Sequence, residues 1–160
     1  MKIEYHITTH SEIDDELRAT FAEKLGKQGK VKGDLTRKAG RCKLLCIAKV
    51  DGVAVAVGGI KEATATDFED GKAGLPELAE EFEWELGYLF TEPSCEGKGI
   101  GSAVVRLLIE AYGKGNLMAS TEISANPGMV KILEKNGFRL FGKPWKSGIH
   151  SNYLALFLRF

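Results

Sequence analysis

The sequence has few cysteines, no excess of either charge and no long hydrophobic run. Its three cysteines, Cys42, Cys46 and Cys95, lack metal-site spacing and leave one outside any pairing, so we expect reduced thiols. The 22 basic and 22 acidic side chains balance, which does not favour bulk attraction to nucleic acid or a membrane. No apolar run approaches the roughly 20 residues that span a bilayer, and the N-terminal residues lack an apolar signal core. These absences predict a cytoplasmic protein without a membrane or nucleic-acid partner.

Length and composition predict one domain. The chain has 160 residues, of which 44% are hydrophobic and 28% charged, values typical of soluble globular proteins. We therefore expect residues 1–160 to form a single domain, large enough to bury a core. The three histidines are scattered, so no metal site is expected. The sequence leaves open whether the chain forms a homodimer.

A glycine-rich segment, Gly97-Lys98-Gly99-Ile100-Gly101, lies between an extended apolar run and an amphipathic helix. It is not a Walker loop, because no Gly-Lys-Ser/Thr string occurs, and Ser102 stands where the dinucleotide fingerprint needs its third glycine. Glycine lets the backbone approach a ligand closely, and a helix start aims unpaired N–H groups at one point. The helix dipole also favours negative charge there. The segment therefore predicts an anion site, most often one for phosphate or pyrophosphate.

Two segments resemble the GNAT superfamily of N-acetyltransferases. The family's pyrophosphate loop has Gln or Arg, two residues, Gly, one residue and Gly or Ala, and here Gly99 and Gly101 match while Glu96 takes the first position. The segment 126–138 is similar to the family's N-x-x-A-x-x-L-Y-E-K-x-G-F. It matches at Asn126, Glu134, Lys135, Gly137 and Phe138.

The resemblance implies an α/β (α+β) fold of the GNAT acyl-CoA N-acyltransferase type. That fold has a mixed central sheet with splayed middle strands and helices on both faces. Hydrophobic periodicity agrees. It predicts strands at Lys2–Thr8, Glu81–Phe90, Leu117–Ile123, Phe138–Phe141 and Tyr153–Phe160, and a hairpin of Lys43–Val50 and Val53–Ile60 about an Asp51-Gly52 turn. It also predicts a helix capped by Ser11 with Ile13, Leu17, Phe21 and Leu25 on one face, a helix at Ser102–Tyr112 that buries Val104, Leu107, Leu108 and Ala111, and a helix at Met129–Asn136. Glu62–Leu75 is expected to be a flexible, exposed connector, and Gly142–Asn152 a connector between the last two strands.

By the same resemblance, acetyl-CoA is the co-substrate and lies between the splayed strands. Its pantetheine arm would pair with the backbone of Leu89, Phe90 and Thr91, with Asn126 near the pantetheine or the thiol. Its pyrophosphate would bind at the helix start. The residues expected there are Glu96, Gly97, Lys98, Gly99, Ile100, Gly101 and Ser102.

Acetyl transfer to an amine needs a base, close positioning of the nitrogen and a donor for the developing oxyanion. Glu85, on the strand that feeds the glycine loop, is our first candidate for the base, because several family members use a glutamate there. Alternation places Glu83 on the same sheet face, so the two could act together. Glu122 is the reserve candidate, and a backbone N–H near Leu89 or Phe90 is the expected oxyanion donor.

Two departures from the family pattern keep other functions open. Glu96 would set a negative charge beside a pyrophosphate, and Leu133 occupies the position of a tyrosine that protonates the leaving thiolate in many members. The first hypothesis is direct acetyl transfer in a ternary complex to the primary amine of a small molecule or peptide. The alternatives are a non-catalytic acyl-CoA-binding regulatory module and an aminoacyl-tRNA acetylating enzyme, for which the basic segment 24–43 would be the docking surface.

Overall fold

The computed structural model describes residues 2–149 and 151–160. The strands and α-helices are numbered separately in chain order. They are β1 (Ile3–Thr9), α1 (Asp15–Gln28), α2 (Leu35–Gly40), β2 (Leu44–Val50), β3 (Val53–Glu62), β4 (Trp84–Thr91), α3 (Ile100–Tyr112), β5 (Leu117–Glu122), α4 (Pro127–Lys135), β6 (Arg139–Lys146) and β7 (Tyr153–Arg159). Short 3₁₀ helices span His10–Glu12, Ala65–Phe68, Pro76–Glu81 and Pro93–Cys95. Within the described ranges, no helix is both long and apolar enough to cross a bilayer.

The strands form one mixed sheet in the order β1-β2-β3-β4-β5-β7-β6. Antiparallel pairs join β1 to β2, β2 to β3, β5 to β7 and β6 to β7. β4 and β5 run parallel, with Glu85 opposite Met118. This mixed sheet with its helices confirms the predicted fold class.

The first of two compact units comprises the chain up to Lys61 together with Leu86–Gly113. Its core includes Phe21 and Leu25 of α1, packed with Leu45 of β2. The apolar spacing therefore predicted the buried face of α1 correctly. The cap, however, is Asp14 rather than Ser11. The Asp14 side chain accepts a hydrogen bond from the Leu17 amide at 2.8 Å, whereas Ser11 lies in the preceding 3₁₀ turn.

The predicted hairpin is also confirmed. Asp51 and Gly52 join β2 to β3, with φ of 49° and 84°. Both values are positive, as the tight turns that fit the twist of paired strands require, and Asp-Gly is a preferred pair for them.

The second unit comprises Glu62–Glu85 and Lys114–Phe160. Here the prediction of an exposed connector at 62–75 is wrong for part of the segment, although other residues, such as Glu69 and Asp70, are exposed. Phe68 is fully buried and stacks on Phe82 at a ring separation of 5.6 Å, and Ala73 is buried with its carbonyl accepting from the Lys143 amide. Burial of Phe68 and Ala73 orders the segment despite its many polar residues, because each removes apolar surface from water.

Other differences are at element boundaries. The helix predicted from Ser102 begins at Ile100, and its Ala111 is exposed rather than buried. β4 begins at Trp84, and β6 continues to Lys146 through residues predicted to be a connector.

β3, β4 and α3 approach closely at Gly58. A Cβ on Gly58 would lie 2.6 Å from Leu89 Cδ2 and 2.8 Å from Val104 Cγ1. We expect Gly58→Ala to lower the free energy of unfolding by about 1–3 kcal/mol in urea denaturation, because the core there has no room for a methyl group. Gly128→Ala is the control, since its Cβ meets nothing within 4 Å, and it should leave stability unchanged or higher. Equal stability of Gly58→Ala and the wild type would contradict this packing.

Candidate acyl-donor and catalytic site

The glycine loop lies between the end of β4 and the start of α3. After Thr91 the chain makes the short 3₁₀ helix Pro93–Cys95, and Gly97 and Gly99 then take left-handed φ values of 75° and 78°. A Cβ at either glycine would meet no atom within 4 Å. The loop therefore needs glycine for its backbone angles and leaves open space at both positions.

The N-terminus of α3 has no side-chain cap. Its N-cap residue is Gly99, and the helical ladder starts with the Ala103 amide donating to the Gly99 carbonyl at 3.0 Å. The preceding amides of Ile100, Gly101 and Ser102 thus have no acceptor inside the helix. Together with the helix dipole, these amides can bind an anion such as a phosphate group.

The side chains around the loop divide into an exposed and a buried set. Glu96 and Lys98 are exposed, so both charges can reach a bound anion. Ile100 is buried in the core, so it can contribute only its backbone N–H. A Cβ on Gly101 would lie 3.2 Å from Thr91 Oγ1, so this glycine allows β4 and α3 to approach.

β4 bends just before the residues expected to bind pantetheine. Tyr88 has a φ of 57°, an unusual value for a residue with a side chain, while Leu89, Phe90 and Thr91 are half-buried. The rings of Tyr88 and Phe90 pack against the core of the first unit. For these aromatic residues the backbone is therefore the part that can bind a ligand.

An ion-pair cluster joins α1 to the residue that follows β4. The Nζ atoms of Lys24 and Lys27 lie 3.2 Å and 3.0 Å from Glu92 Oε2, and the Lys24 side chain is only 7% exposed. The hydrogen bond from Lys27, with that from Lys24, lowers the pKa of Glu92, and the bond to Glu92 raises the pKa of Lys27. Part of the basic segment is thus used inside the fold.

The candidate base Glu85 is buried and oriented by Thr64. Its Oε1 accepts from the Thr64 amide at 2.9 Å and from the Thr64 hydroxyl at 2.7 Å. Glu83, in contrast, precedes β4, and its side chain is exposed. The two carboxylates are therefore in unlike surroundings, and their joint action stays a prediction. No signal in the sequence pointed to Thr64, which lies 21 residues from Glu85.

Glu122, the reserve candidate for the base, and Asn126 lie near each other at the end of β5 and the start of α4. Glu122 is buried, and its Oε2 accepts from Asn152 Nδ2 at 3.2 Å. The Asn126 amide donates to the Glu122 carbonyl, and Asn126 Oδ1 caps α4 by accepting from the Met129 amide at 3.3 Å. Leu133, at the position of the family tyrosine, is fully buried. Its place in the core explains why an apolar residue fits there.

The described ranges contain no cluster of metal ligands, and the two buried thiols are not reactive. Residues 2–149 and 151–160 contain no group of three or more His, Cys, Asp or Glu side chains that could hold a metal ion. Burial raises the pKa of both the Cys42 and the Cys46 thiol to about 12. Neither is a thiolate near neutral pH, so neither can act as a nucleophile there.

Comparison with known proteins places this geometry among acetyltransferases. The model of the Acetyltransferase (GNAT) family matches residues 7–138. No curated protein sequence shows a significant match to the chain.

Solved structures of low sequence identity share the fold. An acyl-CoA N-acyltransferase from Pseudomonas aeruginosa is 10% identical with a TM-score of 0.72, over 99% of this chain and 100% of that one. The Salmonella typhimurium protein yncA, solved with its cofactor acetyl-CoA, is 12% identical with a TM-score of 0.64, over 99% and 93% of the two chains. The ribosomal-protein-S18-alanine N-acetyltransferase from Escherichia coli is 11% identical with a TM-score of 0.65, over 98% and 93%.

The Lys24–Lys27–Glu92 cluster makes stability depend on pH. The lowered pKa of Glu92 means that its contribution is present above the ordinary pKa of a glutamate and is lost as pH falls through the lowered folded value. The raised pKa of Lys27 means that its contribution is present below the ordinary pKa of a lysine and is lost as pH rises through the raised folded value. We expect Glu92→Gln to be less stable than the wild type near neutral pH, with the gap closing towards both limits in urea denaturation.

The control for this prediction is Glu110→Gln. Glu110 pairs with Arg106 at 3.4 Å on an exposed helix surface, where ion pairs contribute little. A gap between Glu92→Gln and the wild type that stays constant from pH 3 to pH 7 would contradict the assignment.

Proposed function

Because the chain belongs to the Acetyltransferase (GNAT) family, we propose that it transfers an acetyl group from acetyl-CoA directly to a primary amine in a ternary complex. The observation that carries the proposal is the uncapped N-terminus of α3 behind the left-handed Gly97 and Gly99. That arrangement supports a phosphate-bearing donor such as coenzyme A. The family model and the acetyl-CoA complex of the Salmonella typhimurium neighbour support the acetyl group.

In this proposal the donor binds through backbone groups. The diphosphate accepts hydrogen bonds from the amides between Gly97 and Ser102, and the exposed Lys98 adds positive charge. The two amides of pantetheine pair with the backbone of Leu89–Thr91, as a short added strand does. Asn126, whose side-chain oxygen caps α4, offers its amide N–H groups to the donor.

The reaction forms an amide and breaks a thioester. The neutral amine nitrogen attacks the carbonyl carbon, and the carbonyl oxygen becomes an oxyanion that a backbone N–H of β4 stabilises. The C–S bond then breaks with its electron pair leaving on sulfur. Glu85 takes the proton of the amine, and the thiolate of coenzyme A is protonated by solvent. The raised pKa of the Cys42 and Cys46 thiols supports direct transfer over an acyl-cysteine intermediate on either residue.

A small-molecule or peptide amine is the proposed acceptor. The name of the E. coli neighbour, a ribosomal-protein-S18-alanine N-acetyltransferase, is consistent with a peptide amine. An aminoacyl-tRNA acceptor has weaker support, because Lys24 of the basic segment is buried in an ion pair.

One observation favours a second function, an acyl-CoA-binding regulatory module. The fully buried Leu133 removes the acid that many family members place at this position. Calorimetry with acetyl-CoA followed by thiol release against a panel of amines separates the two functions. Binding with thiol release supports the transferase, whereas binding without release across the panel supports the module.

Replacing Glu85 tests the base. We expect Glu85→Gln to lower kcat about 10²-fold or more while acetyl-CoA affinity stays within a factor of about two, because only proton transfer is lost. The limb of the pH–rate profile that reports the base should disappear. Glu83→Gln is the matched control on an exposed carboxylate and should retain most of the activity. An unchanged rate and pH profile in Glu85→Gln would show that another group is the base.

Reversing the charge of Glu96 tests the phosphate subsite. We expect Glu96→Arg to bind acetyl-CoA several-fold more tightly at low salt, because an attraction replaces a repulsion near the diphosphate. The gain should shrink as salt is added. Glu110→Arg changes the net charge equally at the far end of α3 and should have little effect. Equal affinities of Glu96→Arg and the wild type would mean that this side chain points away from the phosphates.

A further inference from the structure

The bend in β4 requires support from its surroundings. Tyr88 carries a Cβ and has a φ of 57°, a conformation that costs free energy and persists only where neighbouring contacts hold it. The bend lies directly before Leu89, one of the two residues whose amide could stabilise the oxyanion. The contacts that hold the bend therefore also determine where that amide points.

One face of α1 supplies such contacts. The Phe21 ring meets the Tyr88 ring edge to face at 6.2 Å, and Gln28 Nε2 donates to the Leu89 carbonyl at 2.6 Å. Lys24 and Lys27 lie one turn apart on α1, and both form ion pairs with Glu92, the residue that follows β4. The α1 residues that contact this part of the chain are thus Phe21, Lys24, Lys27 and Gln28.

The direction of the strand's backbone groups distinguishes Leu89 from Phe90. The Glu92 amide donates to the Val55 carbonyl of β3 at 2.8 Å. Backbone groups of successive strand residues alternate in direction, so those of Phe90 face β3 as well, and those of Leu89 face away. The bond from Gln28 reaches the Leu89 carbonyl on that outer side. Since the N–H and C=O of an extended residue point the same way, a fixed Leu89 carbonyl fixes the Leu89 N–H.

The Gln28 side chain combines a satisfied donor with an unsatisfied acceptor. Its Nε2 must face the Leu89 carbonyl, because only the nitrogen can donate. Its Oε1 is then buried and has no hydrogen-bond partner among the described residues. A buried acceptor without a partner destabilises the folded state. Proteins tolerate such groups most often at functional sites.

We propose that Gln28 is a positioning residue for acetyl transfer, holding the Leu89 carbonyl so that the Leu89 N–H donates to the oxygen of the thioester carbonyl. The assignment rests on the proposed function and deepens it. Gln28 touches neither substrate in this account, and it acts through the backbone of Leu89. The donor interaction strengthens as negative charge develops on the oxygen, so its loss should lower kcat more than donor affinity.

Three substitutions of Gln28 by side chains of similar length distinguish a positioning role from a packing role. Gln28→Met keeps the volume without a donor, Gln28→Glu keeps the shape with acceptors only, and Gln28→Lys keeps a donor. We expect kcat to fall about tenfold or more in Gln28→Met and Gln28→Glu, less than when an oxyanion donor is removed outright. Acetyl-CoA affinity by calorimetry should stay within about twofold. Gln28→Lys should retain more activity than either.

Thermal unfolding of the same variants provides the structural readout. Gln28→Met removes the unpaired acceptor but also leaves the Leu89 carbonyl without its side-chain donor, so the two effects oppose each other and its Tm should stay close to that of the wild type. Wild-type kcat in Gln28→Met, or a parallel fall of Tm, coenzyme affinity and kcat, would overturn the assignment. A wild-type chain that binds acetyl-CoA without releasing thiol to any amine refutes the proposed function and this assignment with it. An active wild type with an equally active Gln28→Met refutes only the assignment.

Discussion

The left-handed turn at Gly97 and Gly99 is the constraint on which the proposed chemistry depends. It takes the chain from β4 into α3 without a side chain that would cap the helix or fill the space in front of it. Directly behind the turn, Ile100 is buried in the core and fixes the helix start. The exposed glycines and the buried isoleucine together hold a set of backbone donors rigidly towards solvent. A substitution at either glycine would strain the backbone and cover these donors.

β4 carries residues that are held by stabilising contacts and that also take part in the proposed reaction. Glu85, near the start of β4, is oriented by two hydrogen bonds from Thr64. The bend at Tyr88 lies further along the strand. Around that bend, buried and half-buried polar groups are held by residues distant in sequence, as Gln28 and Lys24 of α1 show. Such contacts cost side-chain entropy and desolvation, and a strand used only for packing would not need them.

Local signals in the sequence were sufficient for the elements that depend on local chemistry. The Asp-Gly turn, the apolar face of α1 and the glycine loop follow from residues a few positions apart. The site depends on longer connections, because 21 residues separate Thr64 from Glu85 and 61 separate Gln28 from Leu89. Periodicity cannot reveal such pairs. The same limit explains why the burial of Phe68 was not predicted, because the residues around it are mostly polar. It also explains why Lys24 was assigned to an exposed basic segment although it is buried.

The central claim is that the amides between Gly97 and Ser102 bind the diphosphate of coenzyme A. The most direct measurement is a titration of the ¹⁵N-labelled chain, following backbone amide signals with coenzyme A and separately with pantetheine, which carries no phosphate. The account predicts that coenzyme A shifts the signals of Gly97–Ser102 and that pantetheine leaves them in place while affecting Leu89–Thr91. Amide signals of Gly97–Ser102 that do not respond to saturating coenzyme A would contradict it.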